Sequence, residues 1–333
     1  MPKQPPRRAP APPHEGTDHP LYLTEADVAR LLPMEACIAA VEEGFRQWAE
    51  GKADNRPRVR ARMAGGMLHT LSAASEPWGR MAAKVYATTR AGARFVVLLF
   101  DGRTSEVLAI IEADRLGQTR TGAASGVATK HLAHPDARTL AILGSGWQAR
   151  GQARAIACVR RLQSIRAWSR DRARLEAFCR DVETECGVAA RPAASAEEAV
   201  RGADIVVTAT SAATPVLQAA WLSPGAHVNA AGSNRPDRRE LAPEAVHRAD
   251  LIVVDSLEQA RAEAGDFLTL PEPEVGVTIS RAVELSAVVA GKHPGRPRPD
   301  SVTLFKSLGL GLEDLAAAQV VYEAARAGGI ARR

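Results

Sequence analysis

The sequence contains only four cysteines in 333 residues, and they lie far apart, at Cys37, Cys158, Cys179 and Cys186. Neither a C-x-x-C pair nor an H-E-x-x-H pattern occurs, so we expect no structural disulfide and no zinc or other metal site. Thiols without a disulfide framework are typical of a reducing compartment, which predicts a cytoplasmic protein.

Long apolar runs are absent as well. No segment approaches the length that a membrane span requires, and the charged N-terminal stretch has no apolar core of the kind found in secretory signals. The net charge is +5, but the basic residues are spread along the chain and do not cluster among aromatic residues. We therefore expect neither a membrane nor a nucleic acid as partner. The positive charge favours anionic small molecules or reflects a compositional bias towards arginine.

The length of the chain predicts two domains, each with its own core. Residues 1–19 hold six prolines and almost no large apolar side chain, which predicts a disordered tail. Ordered structure should begin at residues 21–23, with Thr24 as the N-cap of a first helix and a second helix over 34–49.

The segment from residue 56 to residue 112 has a different pattern. Short β-like runs are separated there by Gly, Asp and Pro, and Asp101-Gly102 is typical of a hairpin turn. The segment is therefore predicted to form an antiparallel sheet, followed by a helix of small residues over 119–132.

A glycine-containing turn follows the apolar run of residues 139–143 and precedes a helix-forming stretch. In the pattern G-x-G-x-x-A, Gly144 allows a tight turn, Gly146 lets the backbone approach a pyrophosphate, and Ala149 lets the helix pack on the strand. The helix N-terminus offers unpaired N–H groups to the phosphates. The pattern predicts a dinucleotide-binding βαβ unit with these cofactor residues: Gly144, Ser145, Gly146, Trp147, Gln148 and Ala149.

The second strand of this unit, residues 164–170, ends in Ser169-Arg170. Sites for NAD usually place an Asp or Glu there to bind the ribose 2′-OH, whereas a hydroxyl and a guanidinium suit a 2′-phosphate better. Asp171 follows directly and could take the acidic role if the strand ran one residue longer. The sequence favours NADP, with NAD as the alternative.

Strands and helices continue to alternate after this unit. Further apolar strands are predicted over 205–210, 226–230 and 251–255. Such an alternation predicts a doubly wound parallel sheet of Rossmann type, covered on both faces. A last helix should return to the first domain. The predicted fold is α/β, with an NAD(P)-binding domain of residues 134–307 inserted in an α+β domain of residues 20–133 plus 308–333.

Four residues of the first domain are candidates for substrate chemistry. Lys84 lies in an otherwise apolar strand, where a lysine either extends its amine to solvent or serves chemistry. Arg120, at the expected start of its helix, could clamp a carboxylate. Arg58 lies among other arginines, as solvated residues do, and His69 lies on an apolar strand, where histidine is usually a hydrogen-bonded core residue.

In the second domain, loops at the carboxyl ends of the strands should face the cofactor. Asn234, in the loop after the strand over 226–230, is a candidate for contact with the cofactor and with a substrate nitrogen or oxygen, although Gly-Ser-Asn is also a common turn. Thr210 and Ser307, at the ends of two further strands, are candidate cofactor ligands.

Four ordered motifs resemble those of the ornithine cyclodeaminase/mu-crystallin family, and the resemblance covers nearly all of the chain from about residue 20. The motifs are R-T-G-A-A-S at 120–125 with K-H-L-A at 130–133, G-S-G-W-Q-A at 144–149, N-A-A-G-S-N at 229–234 with R-E-L at 239–241, and T-L-F-K-S-L-G at 303–309. The resemblance implies a homodimer that pairs through the sheet of the first domain. It also implies hydride transfer between NAD(P) and an amino acid or its imine.

Carried over by position, Arg58, Lys84 and Arg120 match the family's residues that hold the substrate carboxylate and handle protons. The sequence departs from the family at two places. Asn234 and His69 stand where ornithine cyclodeaminases carry an aspartate and a glutamate that act on the substrate's amino groups. The loss of two carboxylates removes the negative pocket that a diamino acid would need.

The resulting hypothesis is an NAD(P)H-dependent reductase of a carboxylate-bearing imine, either a cyclic ketimine such as pyrroline-2-carboxylate or piperideine-2-carboxylate or a linear imino acid such as an iminodicarboxylate. Arg58 and Arg120 would hold the carboxylate, and Lys84 or His69 would donate the proton. One alternative is an amino-acid dehydrogenase or ornithine cyclodeaminase. Another is a non-catalytic, NADP-dependent binder of small ligands, like mu-crystallin.

Overall fold

The computed structural model describes residues 19–328, so the tail predicted over residues 1–19 lies, except for its last residue, outside the described part. Two sheets organise the chain. Sheet A consists of β1 (Leu21–Leu23), β2 (Ala53–Met63), β3 (Gly66–Ser75), β4 (Arg80–Thr89), β5 (Gly92–Asp101) and β6 (Val107–Glu112), in the order β1-β6-β5-β4-β3-β2.

Sheet A confirms the predicted antiparallel sheet. Strands β2 to β6 pair antiparallel with their neighbours, and β1 adds a parallel edge strand beside β6. The predicted hairpin turn joins β5 to β6, with the Asp101 carboxylate accepting the N–H groups of Arg103 and Thr104. The turn is longer than the two residues Asp101-Gly102, because β6 begins only at Val107.

The helices of this part pack on one face of sheet A. They are α1 (Glu25–Leu31), α2 (Met34–Ala49), α3 (Asp114–Leu132) and, from the end of the chain, α12 (Gly311–Ala327). The predicted bounds of α2 are confirmed, as is the N-cap at Thr24, which forms a capping box with Asp27. The predicted return of the last helix to the first sheet is confirmed by the contacts of α12 with β3 and β4.

Helix α3 begins five residues earlier than predicted. Its first backbone N–H groups, those of Asp114 and Arg115, donate to the carboxylate of Glu25 at 2.6 and 2.9 Å. Because this cap comes from a residue far away in sequence, no local signal marks the helix start. Arg120 therefore lies in the second turn of the helix and not at its N-terminus, which corrects the sequence interpretation.

Sheet B consists of eight strands that are parallel throughout: β7 (Thr139–Leu143), β8 (Ser164–Trp168), β9 (Ala190–Pro192), β10 (Ile205–Thr208), β11 (His227–Ala230), β12 (Leu251–Val254), β13 (Val283–Glu284) and β14 (Thr303–Lys306). The helices between them are α4 (Trp147–Val159), α5 (Arg172–Cys186), α6 (Ala196–Val200), α7 (Pro243–His247), α8 (Leu257–Glu263), α9 (Gly265–Leu268), α10 (Glu274–Arg281) and α11 (Leu285–Val289).

The strand order of sheet B is β13-β12-β14-β11-β10-β7-β8-β9. The order reverses between β7 and β10, which confirms the predicted doubly wound sheet of Rossmann type and creates a crevice at the carboxyl ends of these two strands. All strands of sheet A precede residue 113 and all strands of sheet B lie between residues 139 and 306, while the domain limits at 133/134 and 307/308 stay a prediction. No helix within residues 19–328 is both long and apolar enough to cross a bilayer.

Candidate active site between the two sheets

The glycine-containing turn lies at the crevice between β7 and β10. Gly144 has φ +122°, and a Cβ at this position would lie 2.3 Å from the carbonyl oxygen of Ala209, so only glycine fits. At Gly146, the N-cap of α4, a Cβ would meet no atom closer than 3.9 Å, so packing does not require glycine. The space in front of Gly146 is open, and the first N–H groups of α4 face it. This cradle fits a pyrophosphate.

A cleft of about 1030 Å³ extends from this turn. Most of the predicted cofactor residues line it, namely residues 144–148, Ser169, Arg170, Thr210 and Asn234. Ala149 is fully buried in the core beside β7, in keeping with the packing role that the pattern gave it. Ser307 lines a neighbouring cavity instead.

Two arginines line this cleft beyond the end of β8, namely Arg170 in the loop after the strand and Arg174 in the first turn of α5. The strand ends at Trp168, and the Asp171 carboxylate caps α5 by accepting the N–H of Arg174 at 3.0 Å. Ser145 and Ser169 are hydrogen-bonded through their hydroxyls at 2.9 Å. Among the described residues no carboxylate pairs with Arg170 or Arg174, so both guanidinium groups are free to bind an anionic ligand.

A second cavity, of about 790 Å³, lies between the two sheets and shares Gln148, Gly232, Asn234 and Arg235 with the nucleotide cleft. The structure brings together in its wall all the predicted substrate residues: Arg58, His69, Lys84, Arg120 and Asn234. A molecule in this cavity would therefore lie directly beside whatever occupies the end of the cleft.

Arg58 is buried, which corrects its interpretation as a solvated residue. Its side chain is 2% exposed and forms an ion pair with the equally buried Glu263. It also donates to the carbonyl oxygens of Leu308 and Gly309 at 2.8 and 3.1 Å. Its Nε has no hydrogen-bond partner within residues 19–328, so one donor of this guanidinium stays available.

Lys84 and Arg120 meet at a shared carboxylate. The Lys84 ammonium and the Arg120 Nε each lie 2.9 Å from the same oxygen of Asp314, and Arg120 Nη1 also donates to Glu313 at 2.8 Å. All four side chains are at most 8% exposed. The carboxylates of Glu313 and Asp314, on α12, thus hold both cations at the wall of the cavity.

Burial sets the protonation states of this cluster. Desolvation lowers the pKa of Lys84 to about 8, against the opposing attraction of Asp314. Desolvation also raises the pKa of Glu313 to about 8, although Arg120 acts in the opposite direction. At neutral pH the lysine is therefore mostly protonated but able to lose its proton.

His69, on β3, lies opposite Arg60 on the neighbouring strand β2 and stacks on Tyr86, with ring centroids 4.1 Å apart. Its Nε2 lies 3.0 Å from the Thr88 hydroxyl, and its Nδ1 has no partner within the described residues. Burial first, and then Arg60 and Arg58, lower the pKa of His69 to about 4. His69 is therefore a neutral, hydrogen-bonding side chain at pH 7.

The loop that carries Asn234 is held by two buried charged side chains, Lys306 and Glu240. The fully buried Lys306 ammonium donates to the carbonyl oxygen of Ser233 at 2.6 Å and lies 2.8 Å from Asp266. Glu240 accepts the N–H of Gly232 at 2.8 Å and binds the N–H and hydroxyl of Thr210, each at 2.7 Å. This framework fixes the loop where it borders both cavities.

The sequence interpretation missed the acidic residues that hold these cations. They are Glu263, Asp266, Glu313 and Asp314, and Glu240, which holds the loop before Asn234, was missed as well. One local signal was present, because Glu313 and Asp314 interrupt the apolar start of a helix whose first turn is buried throughout. The other partners lie far from the cations in sequence, and their pairing follows only from the fold.

Known proteins are similar to this chain over most of its length. The model of the "Ornithine cyclodeaminase/mu-crystallin family" matches residues 19–329. A Delta(1)-pyrroline-2-carboxylate reductase of Bacillus cereus is 41% identical over 238 residues, 72% of this chain and 73% of the relative. The ketimine reductase mu-crystallin of Rattus norvegicus is 39% identical over 227 residues, 68% of each chain.

A solved structure extends the similarity to almost the whole fold. The Delta(1)-pyrroline-2-carboxylate reductase of Thermococcus litoralis in complex with NADH and L-proline has a TM-score of 0.88 and 32% identity. The similarity covers 94% of this chain and 99% of that chain. Together with the family match, these findings confirm the resemblance read from the four motifs. The chain belongs to the ornithine cyclodeaminase/mu-crystallin family.

Proposed function

We propose that the protein is an NAD(P)H-dependent oxidoreductase that reduces the C=N bond of an imine next to a carboxylate. The observation that carries this proposal is the shared wall of the two cavities. Arg58, Lys84 and Arg120 line a cavity that borders the end of the nucleotide cleft at Gln148 and Asn234. A carboxylate bound by these cations would present its neighbouring carbon to the cleft.

The cations of the cavity supply the carboxylate site. Lys84 and Arg120 share one oxygen of Asp314, and Arg58 retains an Nε donor that no described residue accepts. A substrate carboxylate would accept charge-assisted hydrogen bonds from these cations, which are stronger than hydrogen bonds between neutral groups. The cavity therefore selects an anionic substrate.

Lys84 is the residue that we assign to the proton. When bound, the nicotinamide nucleotide supplies the hydride chemistry. An imine accepts hydride at carbon far more readily when its nitrogen is protonated, and a pKa of about 8 lets Lys84 give up a proton near neutral pH. His69, with a pKa of about 4, has no second proton to give at pH 7, and we assign it and the Asn234 amide to hydrogen bonding with the substrate.

We further propose NADP as the preferred nucleotide. Arg170, just after β8, and Arg174, in the first turn of α5, have no carboxylate partners among the described residues, and the Asp171 carboxylate caps α5. Two guanidinium groups suit a 2′-phosphate, for which arginine offers a forked set of donors. The remaining cofactor residues predicted from the sequence, including Thr210 and Ser307, we assign to the ribose and nicotinamide end.

A substrate-panel assay with both nucleotides tests the function. We expect NADPH oxidation with pyrroline-2-carboxylate, piperideine-2-carboxylate or a 2-oxo acid mixed with an amine, and slower oxidation of NADH. Reduction of NADP⁺ or NAD⁺ by ornithine or another amino acid, without measurable imine reduction, would support the oxidative alternative instead.

We also propose a homodimer that forms through the face of sheet A opposite its helices. This face carries apolar side chains that no helix of residues 19–328 covers: Val85, Val96, Leu98, Phe100 and Ile110. Ten residues along the strands and six strands across span about 33 by 24 Å, or roughly 800 Å². This is about the area that each partner buries in a standard protein–protein interface.

We propose the cytoplasm as the protein's location. The four cysteines form no disulfide, and free thiols are typical of proteins in a reducing compartment.

A further inference from the structure

The substrate cavity has more positive charge than one carboxylate requires. Arg58, Arg60 and Arg62 alternate with outward-facing residues along β2, so all three line the cavity at intervals of about 6.8 Å. Arg60 is 18% exposed and Arg62 is exposed at the rim. The row extends from the carboxylate site towards the mouth of the cavity.

These arginines are incompletely neutralised by the protein. One carboxylate, that of Glu263, serves both Arg58 and Arg60 through its two oxygens. Arg60 also donates to the carbonyl oxygen of Asn234 at 3.2 Å, which leaves further N–H groups free. Arg62 forms no ion pair with any residue of the described chain. The three arginines therefore carry two positive charges more than the one carboxylate of Glu263 compensates, and Arg62 at the outer end has no share of it.

His69 supplies an independent sign that a ligand belongs at this outer end. The residue is 7% exposed and lies opposite Arg60 on the neighbouring strand. Its buried Nδ1 has no partner in the part of the chain that the structure describes, and a buried polar atom without a partner is costly. When Nε2 accepts the Thr88 hydroxyl, Nδ1 carries the proton and can donate it to an anionic oxygen.

The size of the cavity also exceeds that of a small monocarboxylate. Pyrroline-2-carboxylate has eight heavy atoms, which even at about 30 Å³ each, the share of a whole water molecule in the liquid, would occupy at most about 240 Å³. The cavity measures about 790 Å³. Room remains for the nicotinamide end of the nucleotide and for a longer substrate that reaches Arg60.

We infer that the substrate is a dicarboxylate: an imine whose first carboxylate binds at Arg58, Lys84 and Arg120, and whose side chain ends in a second carboxylate bound by Arg60, Arg62 and His69. This inference rests on the proposed imine reductase function and names its substrate class.

Two matched substrate pairs test it with the NADPH-loaded full chain. One pair is the methylamine imines of 2-oxopentanedioate and 2-oxopentanoate, which differ only in the terminal carboxylate. The other is piperideine-2,6-dicarboxylate and piperideine-2-carboxylate. We expect kcat/KM to be at least about tenfold higher for the diacid of at least one pair, mainly through KM, as one additional charge-assisted interaction provides.

Substitutions of the outer arginines test where the second carboxylate binds. Arg60→Gln and Arg62→Gln should each lower the diacid-to-monoacid ratio of kcat/KM, by about tenfold for Arg60→Gln and by less for the more exposed Arg62. Arg62→Gln breaks no ion pair of the described residues, so it leaves the Glu263 bridge intact. Arg56→Gln is the matched control, because Arg56 lies on the same strand, pairs with Asp54 and does not line the cavity, and it should leave the ratio unchanged.

Equal or better turnover of the monoacids by the unaltered protein would overturn the inference and leave the proposed function standing. A ratio that stays constant in both Arg60→Gln and Arg62→Gln would also overturn it, because the second carboxylate would then bind elsewhere. If neither pair is reduced with either nucleotide, the proposed function fails, and the inference fails with it.

Discussion

Replacement of Lys84 by methionine tests the proton assignment most sharply. Methionine has a similar length and suits a position that is 3% exposed. Asp314 keeps its contact with Arg120 at 2.9 Å, so the substitution does not leave a buried carboxylate without a partner. We therefore expect Lys84→Met to fold and to bind nucleotide as the unaltered protein does.

The expected loss is in the chemical step. A positioned general acid contributes about 10²- to 10⁴-fold to a rate. We expect kcat for imine reduction to fall by at least about a hundredfold, which corresponds to about 2.7 kcal/mol at about 1.36 kcal/mol per tenfold change. The assay is the fall in NADPH absorbance at saturating imine. Lys52→Met, at an exposed lysine paired with Glu50, is the control and should retain full activity.

The pH profile gives a second readout of the same residue. If Lys84→Met retained reductase activity within a few-fold of the parent, or if it kept the parent's loss of activity above pH 8, the assignment of the proton to Lys84 would be wrong.

Three further predictions follow from the same structure. In the unaltered protein, the rate of imine reduction should decline as the pH rises through about 8, because Lys84 loses its proton. The rate of amino-acid oxidation should rise over the same range, and opposite trends would contradict the role of the lysine. Arg170→Gln should lower the NADPH-to-NADH ratio of kcat/KM by roughly tenfold, and Arg172→Gln, whose arginine pairs with a glutamate outside the cleft, should not. Leu98→Asp should convert the dimer to a monomer in sedimentation velocity, while Val277→Asp, at an exposed apolar residue elsewhere, should not; a monomeric parent would refute the interface.

Local patterns were sufficient for much of the fold. The bounds of α2 follow from its amphipathic period, and the glycine-containing turn lies where β7 meets α4 as its pattern predicted. The start of α3 could not be predicted in this way, because its cap is the carboxylate of Glu25, 89 residues earlier. Arg120 was consequently placed at the wrong point of its helix.

The site was predictable as a set of cations but not as an electrostatic cluster. Arg58, Lys84 and Arg120 were found by their position in motifs and strands. Their carboxylate partners on α8 and α12 lie about 200 residues away, so neither the burial of Arg58 nor the lowered pKa of Lys84 could be read from neighbouring residues. Arg60 and Arg62 could be seen in the sequence to lie on the same side of their strand. That this side faces a cavity follows only from the fold.

The most direct test of the central claim is to follow the hydride itself. NADPH carrying deuterium at nicotinamide C4 would be incubated with the protein and the imine of a 2-oxo acid, and the amino-acid product analysed by mass spectrometry. The account predicts one deuterium at the α-carbon when the label is on the transferred face. A product without deuterium from both C4 epimers, or no product while the nucleotide binds, would contradict it.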